Sequence, residues 1–104
     1  MAQINLSNYK NLYLQTAKKY LSKMTLSLSQ LSNDVSNKNA LNDLHIASHS
    51  LKSQSQVMGF TDVVNICLNI EKGSDDTLKG NAQLSSQIIS DFKESVKKLE
   101  QILK

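Results

Sequence analysis

Proline is absent from the whole chain and glycine occurs three times, at Gly59, Gly73 and Gly80. Proline breaks a helix interior by removing a donor and clashing with the preceding turn, and glycine destabilises one by loss of chain entropy. A chain with so few breakers admits long helices and argues against a turn-rich all-β domain. The apolar residues follow suit. Tyr9, Leu12, Tyr13, Ala17, Tyr20, Leu21, Met24, Leu28 and Leu31 form a stripe at helical spacing, for which Ser7 is a candidate N-cap. The run Ser32 to Asn39 is polar, and its Ser, Asn and Asp side chains compete with helical hydrogen bonds, so a loop is expected there.

Three further stripes follow. The second helix starts near Asn39 or Ala40 and buries Leu44, Ala47, Ser48, Leu51, Ser55 and Met58, ending at Gly59, where the left-handed conformation costs glycine least. Ser48 and Ser55 would let a neighbouring helix approach closely, with their hydroxyls bonded back to carbonyls one turn earlier. Thr61 is a candidate cap for a third helix buried through Val63, Ile66, Cys67, Ile70 and Leu78. That helix passes through Gly73 to about Lys79, with Gly80 beyond its end. Ser85 or Ser86 starts the last helix, striped by Ile88, Ile89, Phe92, Val96, Leu99, Ile102 and Leu103. The expected boundaries are about 8–32, 40–58, 61–79 and 86–103. Four amphipathic helices with short connections pack most simply as an all-α, antiparallel up-and-down four-helix bundle. A chain of 104 residues makes one domain, 1–104, burying roughly two-thirds of its unfolded surface.

Composition removes several functional classes. The net charge of +3 comes from twelve lysines, scattered along the chain, against nine acids, with no arginine to grip guanine or phosphate bidentately. Nucleic acid is therefore not an expected partner. No window approaches the ~20 apolar residues that span a bilayer, and the N-terminal residues lack a basic start followed by an apolar run. One cysteine, Cys67, excludes an internal disulfide and suits a reducing compartment, so a cytoplasmic location with no membrane contact is expected. Cys67 itself falls in an apolar stripe and reads as a small core residue, and Tyr9, Tyr13 and Tyr20 read as core aromatics with hydroxyls at the rim.

One stretch looks like chemistry instead of packing. At about 100° per residue, His45, His49, Ser53 and Gln56 gather on a side of the second helix away from its apolar stripe. A solvent-facing imidazole whose second nitrogen carries the proton offers a free lone pair, a competent nucleophile towards phosphorus. Lys52, three residues on, has its Cβ about 5–6 Å away, where an ammonium can hold phosphoryl oxygens. A carboxylate on the second ring nitrogen would fix the tautomer, and the third helix can supply Glu71. His45 and His49, four apart, could be two metal ligands, but no third stands out and no metal is expected. Gln56 is either a solvated residue or a donor to the phosphoryl group.

The segment His49-Ser50-Leu51-Lys52, with Gly59 ten positions after the histidine and Phe60 following, resembles the histidine phosphotransfer (HPt) family, whose signature is His-x-x-Lys-Gly with a later glycine. It is most similar to the HPt domains at the front of chemotaxis-type histidine kinases. The likeness covers nearly the whole chain, including a glutamate twenty-two residues past the histidine, Glu71, and a glycine before the fourth helix, Gly80. The resemblance implies a phosphoryl carrier of a two-component phosphorelay, with no kinase activity of its own. His49 would accept phosphate on Nε2 from a histidine kinase ATP-binding domain, in cis or in trans, and pass it to an aspartate of a response regulator receiver domain. Lys52 would stabilise the phosphate and Glu71 would bind Nδ1; His45, Ser53 and Gln56 would shape the docking face and Gly59 would be structural. No cofactor is implied beyond Mg²⁺ in the receiver. Ser53 stands where the family usually has glycine, and Leu68 where chemotaxis-type domains often place another histidine. Ser53 keeps open an alternative, a helical module that docks a signalling partner through the same face without carrying phosphate.

Overall fold

A computed structural model describes residues 6–104 as four helices: α1 (Leu6–Asn33), α2 (Lys38–Met58), α3 (Thr61–Leu78) and α4 (Ser86–Ile102). Residues 1–5, part of the N-terminus read above for a leader pattern, lie outside the described residues. Each helix packs on its sequence neighbours and α1 closes on α4, so the helices stand at the corners of a square in up-and-down order. No helix among the described residues is long and apolar enough to cross a membrane.

The connections are made by local side-chain chemistry. Asp34 Oδ1 accepts from Ser36 N–H at 3.0 Å and from its hydroxyl at 2.6 Å, closing the α1–α2 turn. Asn37 then caps α2, its Oδ1 accepting from Ala40 N–H at 3.0 Å. Gly59 (φ 77°) ends α2 in the left-handed conformation, and Ser85 caps α4 by accepting from Ile88 N–H at 3.2 Å. Two caps read from the sequence do not hold. Ser7 lies inside α1, and Thr61 is the first residue of α3, behind an N-cap, Phe60, that offers no side-chain bond.

The core runs along the bundle axis through Met24, Leu28, Leu31, Leu44, Leu51, Val63, Cys67, Ile70 and Leu99, each at most 1% exposed. The sequence stripe overreaches at its ends. Tyr13 is level with the end of α2: its hydroxyl shares a 2.6 Å hydrogen bond with Ser55 and its ring stacks on Phe60, centroids 5.1 Å apart. Tyr9 and Leu12 are more than half exposed instead of in the core, edging an open hollow with Val57 and Met58 of α2. Ile102 closes α4 on the outside while Leu103 turns in. Ser48 does bond back, to His45 O at 3.0 Å, whereas Ser55 spends its hydroxyl on Tyr13. Gly73 sits mid-helix because of α4: a Cβ there would lie 2.6 Å from Phe92 Cζ.

Candidate functional site

The site forms on the seam between α2 and α3. Leu44, Ala47, Leu51 and Ser55 hold α2 against the core, which leaves the ridge carrying His49 outward, with the imidazole side chain 56% exposed. On α3, Val63, Cys67 and Ile70 face inward, so Glu71 emerges at the rim of the seam, its side chain 17% exposed. One carboxylate serves two partners. Glu71 Oε1 lies 3.2 Å from His49 Nδ1, and Oε2 lies 2.8 Å from Lys52 Nζ. Oε2 is closed off from solvent, and the Lys52 ammonium 2.8 Å away is the charge that balances it.

Burial pushes the Glu71 carboxyl up, but hydrogen bonding and charge from Lys52 and His49 outweigh it and leave the group below the usual carboxylate range. At neutral pH Glu71 is therefore an anion and accepts only. It follows that His49 Nδ1 carries the proton and that a neutral ring keeps its lone pair on Nε2. The chemistry this permits is nucleophilic attack by Nε2, with Glu71 compensating the positive charge that develops on the ring.

The other candidate residues divide. Lys52 is brought to the seam rather than held out in water, its side chain 16% exposed. His45 joins the same cluster, its Nδ1 3.3 Å from the Glu71 carbonyl oxygen and 3.4 Å from Ser74 Oγ. Ser53 is half-buried and Gln56 exposed, both on the α2 ridge beyond His49. Sequence reasoning missed Ser74, Lys72 and Asp75. Ser74 is fully buried and bonds back to the Ile70 carbonyl at 2.8 Å, while Lys72 and Asp75 line an open hollow with His45, His49 and Glu71. The signal was available for Asp75, one turn beyond Glu71 on the same face. Cys67 lies behind the seam, its thiol pushed up to about 12 by burial and then by the Glu71 charge, which makes it inert. Among the described residues no three His, Cys, Asp or Glu side chains come together at metal-ligand spacing.

Against known proteins, the model of the Hpt domain family matches residues 8–102. The chain belongs to the Hpt domain family. Its fold is also that of the CheA phosphotransferase domain from Thermotoga maritima, with a TM-score of 0.88 over 92% of this chain and 91% of that one, at 20% identity. No curated protein matches. Histidine phosphotransfer in two-component signalling is thus the role of this Hpt domain, and Hpt domains carry phosphoryl groups between kinases and response regulators without being kinases themselves.

Proposed function

We propose that His49 is the phosphoacceptor of this Hpt domain, taking the phosphoryl group on Nε2 and passing it to an aspartate of a response regulator receiver. The single observation that carries this reading is the 3.2 Å contact of His49 Nδ1 with an ionised, seam-bound Glu71, on a ring otherwise open to solvent. In the first step the Nε2 lone pair attacks the γ-phosphorus of ATP held by a kinase domain. The Nε2–P bond forms, the bond to the bridging oxygen breaks, and ADP leaves with that electron pair. Nδ1 keeps its proton, so the ring becomes cationic and Glu71 stabilises it. In the second step a receiver carboxylate oxygen attacks the phosphorus, the N–P bond breaks, and the neutral ring is restored. The receiver brings the accepting aspartate and its own Mg²⁺.

Lys52 acts at two removes. Paired with Oε2, it keeps Glu71 charged and oriented, and its ammonium is a cation able to swing to the phosphoryl oxygens once they arrive. Ser53, one turn past His49 on the ridge, is small enough to let the receiver close over the imidazole, with His45 and Gln56 bordering the contact. The test is incubation with a kinase domain and radiolabelled ATP, followed by assay for acid-labile phosphate. The parent is expected to label and His49→Gln to show none; equal labelling of both would move the acceptor elsewhere.

A further inference from the structure

The hollow beside His49 has one positive charge to spare. His45, His49, Glu71, Lys72 and Asp75 line it, around a space of about 340 Å³. Both of its carboxylates are already matched. Glu71 meets His49 Nδ1 at 3.2 Å and Lys52 Nζ at 2.8 Å, and Asp75 meets Lys79 Nζ at 2.9 Å. The His45 ring directs its Nδ1 to the Glu71 carbonyl oxygen, 3.3 Å away. Lys72 is left over: it is exposed and, among the described residues, takes part in no ion pair.

A phosphoryl group on His49 Nε2 would upset this balance. It brings about −1.5 to −2 charges and three acceptor oxygens into a hollow that already holds Glu71 and Asp75. There is room for it, since one water's share of volume is ~30 Å³. Two lysines can meet the new charge, at different cost. Lys52 is held in the seam with its side chain 16% exposed, and Glu71 Oε2, closed off from solvent, accepts a hydrogen bond from nothing else. Drawing the Lys52 ammonium away therefore strands a buried anionic oxygen. Lys72 breaks no pairing when it moves, and its charge rides on a flexible four-carbon stem beside His49.

We propose that Lys72 is the cation that binds the phosphoryl oxygens on His49, closing on them from α3 while Lys52 stays on Glu71. The two lysines then divide the work. Lys52 holds the carboxylate that orients the ring, and Lys72 meets the charge that arrives on its far side. The proposal rests on His49 being the phosphoacceptor. It adds a residue that no helical spacing from the histidine points to, because Lys72 reaches the hollow from the facing helix.

The test reads the phosphoryl group itself. The protein is phosphorylated with phosphoramidate, a small donor that needs no docking face, and the ³¹P signal of the phosphohistidine is followed against pH. A neighbouring cation favours the doubly charged phosphoryl group, and an opposite charge within about 4–6 Å moves the pKa of an acid by about 1–3. Lys72→Ala should therefore titrate about one pH unit higher than the parent. Lys72→Arg keeps the charge and should titrate with the parent. Lys72 is exposed, so both variants leave the core as it is. An unchanged titration in Lys72→Ala, or an equal rise in Lys72→Arg, would overturn the role of Lys72. A larger rise in Lys52→Ala than in Lys72→Ala would do the same and give the oxygens to Lys52. Failure of the phosphoacceptor reading looks different: parent and His49→Gln would then give the same ³¹P spectrum.

Discussion

The α1–α4 seam and the α2–α3 seam are built from the same kind of amphipathic stripe and do different work. Between α1 and α4, Leu21, Leu28 and Val96 face an open groove edged by Lys18, Thr25, Ser29, Lys93, Lys97 and Glu100. An ion pair on α4, Lys97–Glu94 at 3.7 Å, stays within the helix and is largely in water, where such pairs are worth little. Between α2 and α3, one carboxylate in the seam ties a lysine and a histidine of the facing helix. The sequence already separates the two: the span of α1 holds Lys10, Lys18, Lys19 and Lys23 and no acid, while that of α3 holds Asp62, Glu71, Asp75 and Asp76. A seam becomes a site here by receiving a carboxylate at its rim, where partial burial strengthens the interaction with each partner.

The largest effect should separate scaffold from site. Leu99 is fully buried, and Leu99→Ala should cost about 2–5 kcal/mol of stability. Its phosphate labelling, measured well below its melting temperature, should match the parent's; urea denaturation and labelling on the same preparation check both. Glu71→Gln should show the reverse pattern. Removing an outer-shell carboxylate typically costs about 10–100-fold, so labelling should slow by that factor, some 1.4–2.7 kcal/mol in barrier, with a smaller change in stability. Labelling within twofold of the parent would erase the distinction between the seams.

Four helices and their order were legible in the sequence because each stripe is long and breakers are few. The exceptions lie at the ends of the stripes. Periodicity puts Tyr9 and Leu12 in the stripe of α1 but does not tell a residue packed in the core from one at its open edge, where these two lie beside Val57 and Met58 of α2. The pairing of Glu71 with His49 was readable from family spacing, whereas the turning of Lys52 onto the second carboxylate oxygen was not. A lysine three residues from a histidine looks the same in sequence whether it points to water or into a seam. His45 was read as a border of the docking face, and its bond to a backbone carbonyl of α3 has no sequence signal at all.

A third, smaller effect concerns the other face of α3, which packs on α4. Glycine to alanine in an open helix gains about 1 kcal/mol, but at Gly73 the new Cβ meets Phe92, 2.6 Å away, and overpacking costs about 1–3 kcal/mol. Gly73→Ala should therefore be destabilised by about 1 kcal/mol in urea, and Phe92→Leu in the same background should recover part of the loss. A net stabilisation would show that α3 and α4 meet loosely enough for the ring to swing away.

The smallest expected effect is on acid stability. The Glu71 carboxyl lies lower in the folded protein than the ~4.3 of an unfolded glutamate, because Lys52 and His49 outweigh the opposing cost of burial. The folded state therefore binds this proton less readily than the unfolded one, so the contribution is complete above the unfolded value and is lost as pH falls through the folded one. Asp34 and Asp75 are lowered too, by hydrogen bonds from Ser36 and from Lys79, but both groups lie in water and are common to parent and variant. Subtracting the melting curve of Glu71→Gln from that of the parent isolates the seam carboxylate. The difference should shrink as pH falls below about 4.3. A difference that grew as pH fell below about 4.3 would mean that burial, and not Lys52 and His49, governs Glu71, and the α2–α3 seam would then be no more than a second scaffold.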